Sequence, residues 1–152
     1  MSVKALDLRK DYPRSPKETL GGYAHLARMI DKVRSKADGL LGEYIYPCPL
    51  DQTLLGFLEI SGDDFRAAVR GRNDQEILAW LKENAKPLKT EEIEAWNRAF
   101  LSRRPKDEEG TKRFLEIRNR VAPDRADVTA WVDLLDLEEE RKVPVRTGGG
   151  PT

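Results

Sequence analysis

The sequence predicts an all-α fold, a single compact domain of about six or seven short helices. Three observations predict it. Apolar residues recur at i, i+3, i+4 and i+7 in one segment after another, the spacing that gathers them on one side of a helix. Small polar residues stand just ahead of these segments, and Gly or Pro closes them. Charged residues make up 36% of the chain against 39% apolar, the balance of helices with one buried and one solvated face.

The chain is read as a 1–15 arm, a 16–140 helical domain and a 141–152 disordered tail. In the arm, Tyr12-Pro13 and Ser15-Pro16 hold the backbone extended. Leu6 and Leu8 alternate with charges, as in an arm laid across a body. Ser15-Pro16-Lys17-Glu18 is a capping-box pattern for a short helical turn, which Gly21-Gly22 loosens. The first firm helix is expected from about Tyr23 to Lys36, with Leu26, Met29, Ile30 and Val33 as its stripe and Arg28 and Asp31 opposite. Asp38-Gly39 ends it. Gly42 to Tyr46 reads as a short strand or extended connector near Tyr44, and Pro47 and Pro49 fix the backbone on both sides of Cys48.

Further helices are expected at about Leu50–Glu59, after Ser61, after Asn73 with a capping box to Glu76, after Thr90, from Asp107 to Val121, and from Asp124 to about Glu140. The last is apolar on two sides: Val128, Trp131, Val132 and Leu135 on one, Ala130, Leu134 and Leu137 on the other. Such a helix is central or shared with a partner, and a homodimer through it is one expectation. Beyond Arg141 the tail is Pro- and Gly-rich and reads as disordered.

Formal net charge is zero, which argues against nucleic acid and anionic membrane surfaces as partners. The basic residues from Arg103 to Arg120 interleave with acids and read as a solvated helix face. One cysteine excludes an internal disulfide and suits a cytoplasmic protein. No stretch approaches a membrane span. One His and one Cys are too few for a structural zinc, no calcium-loop pattern occurs, and no cofactor is expected.

The least generic stretch is Gly21 to Asp51, which holds His25, Cys48 and three of the four tyrosines. Tyr23, His25, Arg28, Tyr44, Tyr46 and Asp51 are the candidate ligand-binding set. Aromatic rings supply area, while hydroxyls and a guanidinium orient a small polar molecule or a partner segment. The competing reading puts the tyrosines in the core with their hydroxyls on backbone carbonyls. An enzyme would instead use His25 as general acid or base, assisted by Cys48, Asp51 or a tyrosine.

The runs LRKDYPRSPKETLGGYAHLARMIDKVR and GEYIYPCPLD resemble a bacterial family known as domain of unknown function 5069. The similarity extends from about Leu6 to the end of the last helix. The resemblance implies a small bacterial helical domain and brings no activity, cofactor or ligand with it.

Overall fold

The computed structural model describes residues 4–145. Among them are seven helices and a single two-stranded sheet, so the protein is mostly helical. The chain divides into two compact units, residues 1–97 and 98–152. The sequence pattern does not mark this boundary because a continuous helix, α5 (Thr90–Leu101), runs across it.

The first unit contains the sheet. β1 (Thr19–Leu20) pairs antiparallel with β2 (Tyr23–Ala24), Thr19 opposite Ala24 and Leu20 opposite Tyr23. The two-residue connection is Gly21-Gly22, with φ of 60° and 90°. A tight hairpin needs positive φ at both positions, and glycine supplies it without steric cost. Asn97 pins the hairpin, its amide donating to the Gly22 carbonyl and accepting from the Ala24 N–H. Ser15 to Glu18 is therefore a turn leading into a strand, not the start of a helix. The expected helix from Tyr23 begins later, at Leu26. No strand forms near Tyr44, where the backbone is irregular.

Helix α1 (Leu26–Ala37) is buried on every side. Leu26, Met29, Ile30 and Val33 join the main core with Leu54 and Leu58 of α2 (Pro49–Leu58), Phe65 and Val69 of α3 (Gly62–Val69), and Ile77 and Leu81 of α4 (Asp74–Asn84). α1 ends where expected. The Leu40 N–H donates to the Ser35 carbonyl, the Gly39 N–H to Lys36, and Gly39 has φ 71°. The arm is anchored on this end: Leu8 N–H donates to the Leu40 carbonyl, and Ser35 Oγ donates to the Leu6 carbonyl. Ser61, by accepting from Asp64 N–H, and Asn73, by exchanging bonds with Glu76, cap α3 and α4 as their sequence patterns require.

In the second unit, Asp107 caps α6 (Glu108–Val121). α6 and α7 (Trp131–Glu138) share a second core of Phe114, Val128, Leu134 and Val143, and Phe114 meets Trp131 edge-on at 5.1 Å. The last helix was expected from Asp124. Residues 124–130 instead form turns, because Arg125 binds Asp127 and reaches the Val143 and Pro144 carbonyls. Val128 and Ala130 thus lie outside the helix, and Leu134 is buried within this unit. Val143, placed by the sequence reading in the tail, packs here; residues 146–152 of that tail, like Met1 to Val3 of the arm, lie outside the described residues.

Candidate functional site

Helix α1 carries charge into the interior of the first unit. His25, Arg28, Asp31 and Lys32 are all buried, although Arg28 and Asp31 lie opposite the apolar stripe. Chain segments distant in sequence cover that face and supply partners.

The deepest group forms around Asp51, which is fully buried. His25 Nε2 lies 2.7 Å from Asp51 Oδ1, and Lys32 Nζ donates to Oδ2 at 2.6 Å. The Cys48 N–H donates to the same Oδ2 at 2.9 Å, and Lys32 Nζ also reaches Cys48 Sγ at 3.2 Å. Local sequence builds this arrangement. Cys48 is the N-cap of α2, Pro49 its first residue, and Asp51 the third residue, whose carboxylate closes the capping box. His25 is the N-cap of α1 at φ 71°, which turns the chain out of the hairpin and brings the imidazole to Asp51.

Burial alone would raise the Asp51 carboxyl, but the His25 hydrogen bond and the Lys32 ammonium outweigh it and hold the group down at about 2. Burial pushes His25 below its ordinary value; Asp51 opposes this, while Lys32 and Arg28 add to it. A neutral imidazole facing a carboxylate must donate from Nε2, so the proton sits on that nitrogen.

A second network surrounds Asp31. Arg14 grips it through its backbone N–H at 2.8 Å and its guanidinium at 3.0 Å, and also pairs with Asp74 at 2.9 Å. Arg34 meets Asp74 at 3.0 Å. Burial opposes ionisation of Asp74, and Arg14 and Arg34 together hold its carboxyl below the usual range.

The candidate ligand-binding set separates into several places. His25 and Asp51 meet, but both are 0% exposed, so solvent does not reach them. Arg28 lies over the Tyr44 ring at 5.7 Å, a cation–π distance, and donates to the Arg14 carbonyl. Tyr23 is half-buried against the core. Tyr46 is in the core, and its hydroxyl donates to the Gly62 carbonyl at 2.8 Å. Burial, with Asp51 and Asp63 adding, raises that phenol's pKa. His25 Nε2 engages Asp51, while the Cys48 sulfur takes Lys32. Among the described residues no three His, Cys, Asp or Glu side chains converge as metal ligands would. Lys32, Arg14 and Asp74 were not singled out from sequence; the i, i+7 spacing of His25 and Lys32, two turns apart on one face, was the available signal.

Tyr46 also ties two helices together. Its carbonyl accepts from Lys36 Nζ on α1 at 3.2 Å, while its hydroxyl holds Gly62 at the start of α3. Tyr46→Phe is expected to cost about 1 kcal/mol in urea unfolding, the net worth of one such hydrogen bond. An unchanged midpoint would show that the Gly62 contact carries no stability.

An open groove of about 980 Å³ lies between these helices. Its walls carry Lys4, Arg34, Lys36, Arg66, Arg70 and Arg72, and among the described residues its only acids are Asp38 and Asp63. Val33, Leu40 and Val69 line its apolar part. Local sequence pattern does not reveal it, because its cations come from three separate segments.

Fold and interior together define a small, mostly helical protein stiffened by buried ion pairs, with no helix among the described residues long and apolar enough to cross a membrane. The family model described as Domain of unknown function (DUF5069) matches residues 10–141, and the chain belongs to that family. The search of curated proteins finds no match.

Proposed function

We propose that the protein is a cytoplasmic binding module that holds a small anionic molecule in the groove between α1 and α3. The observation that carries this reading is the surplus of cations around an open cavity. Helix dipoles do not account for the surplus. α1 and α3 both end at the groove, and two helix C-termini together amount to roughly one negative charge. Arg34 is already matched by Asp74. Arg66 and Arg70 are exposed and form no ion pair among the described residues. The lone thiol, Cys48, supports the cytoplasmic placement.

In this reading the His25–Asp51–Lys32 cluster and Tyr46 form the frame, fixing α1 against α2 and α3, and the ligand touches the arginines. Arg28 and Tyr44 remain a polar aromatic pair on the same helix and its covering segment, and Tyr23 buttresses the hairpin. The enzyme alternative has less support, since His25 and Asp51 are sealed from solvent.

Calorimetric titration with pyrophosphate and with citrate tests the proposal. Wild type is expected to bind at least one of them, and Arg66→Glu/Arg70→Glu to weaken that binding by about tenfold or more, since two cations become two anions. Both sites are exposed, so circular dichroism and the melting temperature of the variant are expected to stay near wild type. Equal affinity in the variant, or no binding of these or any other small anion tested to wild type, overturns the groove reading.

A further inference from the structure

Resting on the groove reading above, we infer that the ligand is a soluble amphiphilic phosphate: a phosphomonoester head on a short aliphatic body. The head follows from the type of cation. Four of the six cationic side chains are guanidiniums, Arg34, Arg66, Arg70 and Arg72. A guanidinium presents a planar fork of donors that matches phosphate oxygens two at a time, whereas an ammonium acts as a point charge. Arg66 and Arg70 are one helical turn apart, so both forks can close on a single head. A phosphomonoester carries close to two negative charges at neutral pH, which suits this surplus better than a single carboxylate does.

The body follows from size and lining. The volume, about 980 Å³, stands at the upper end of the range for small-molecule sites and far exceeds what an inorganic anion fills. The uncharged lining is aliphatic: Val33, Ala37, Leu40, Ala67 and Val69. No Phe, Tyr or Trp lines the groove among the described residues. A nucleobase would therefore find no ring to stack on, which argues against nucleotides and single-stranded nucleic acid. The site is also concave and the whole chain has zero formal net charge, neither of which suits a flat anionic lipid surface.

The test compares n-hexyl phosphate, inorganic phosphate and n-hexanoate by calorimetry on the full chain, with Arg66→Glu/Arg70→Glu alongside. Hexyl phosphate is expected to bind wild type about tenfold or more tighter than inorganic phosphate, because burying only two methylenes is worth about that factor. It is expected to bind tighter than n-hexanoate as well, because its head carries nearly twice the charge and fits the guanidinium forks. The double variant is expected to lose this binding. If inorganic phosphate binds as tightly as hexyl phosphate, or hexanoate does, the amphiphilic phosphate is overturned while the groove reading stands. The same holds if only pyrophosphate or citrate binds. Undiminished binding of hexyl phosphate by the double variant places it elsewhere and also overturns the inference. If no anion binds, both fall. Co-sedimentation with phosphatidylcholine vesicles containing phosphatidic acid is expected to leave the protein in the supernatant; capture by the vesicles would overturn the soluble source.

Discussion

Asp51→Ala is expected to destabilise the protein by about 3–5 kcal/mol, the cost of leaving one member of a buried ion pair without its partner. Three groups lose their acceptor at once. Lys32, 2% exposed, keeps a charge that water cannot reach, His25 loses the oxygen its Nε2 faces, and the Cys48 N–H loses its cap at the start of α2. Urea unfolding at neutral pH measures the loss. Asp51→Asn, which keeps an acceptor oxygen but not the charge, is expected to fall between wild type and the alanine variant. The double variant Lys32→Met/Asp51→Leu is expected to be more stable than Asp51→Ala, because it removes the stranded charge and fills the space with hydrocarbon. A loss below about 1 kcal/mol for Asp51→Ala would mean that the carboxylate does not hold this cluster together.

The charged interior was the part least visible in the sequence, and the reason is physical. The apolar stripe of α1, the caps at Ser61 and Asn73, and the Gly39 stop depend on residues a few positions apart, so local spacing reveals them. Burial of Arg28, Asp31 and Lys32 depends on partners far along the chain. Arg14 and Asp31 are 17 residues apart, Lys32 and Asp51 are 19, and Arg14 and Asp74 are 60. A charged residue opposite an apolar stripe is normally solvated, and only the covering segments change that. The hairpin escaped for another reason. Strands of two residues are too short to show alternation, so Gly21-Gly22 was the one signal, and it read as a loosened turn. Of the candidate set, His25 and Asp51 meet, and the segments that cover them leave both 0% exposed. Tyr46 followed the competing reading, its hydroxyl on a backbone carbonyl.

The cluster and the groove are linked through α1. Lys32 fixes the helix to the Cys48–Asp51 bend, and one turn later Lys36 both lines the groove and holds the Tyr46 carbonyl. The C-terminal half of α1 is thus braced on one side by ion pairs while its other side forms a wall of the groove. A wall held this way loses little freedom when a ligand arrives, which favours affinity without new contacts.

Stability is expected to fall in two steps as pH falls, the upper from His25 and the lower from Asp51 with a share from Asp74. His25 is depressed below 6.5 in the folded protein, so near and below that pH the unfolded chain takes up a proton that the folded protein refuses. Its contribution is therefore complete above about 6.5 and drains away as the pH falls towards the folded value. Asp51, held at about 2 against 3.8, has the same sign lower down: its share, roughly 2 kcal/mol, is present above about 4 and is lost as pH falls through about 2. Urea midpoints at steps from pH 7.5 to 2.5 trace the profile. His25→Gln keeps an N–H that can face Asp51 but cannot titrate, so its profile is expected to be flatter between about pH 7 and 5 while keeping the lower step. If wild type and His25→Gln decline in parallel over that upper range, the imidazole is not the group that acid attacks first.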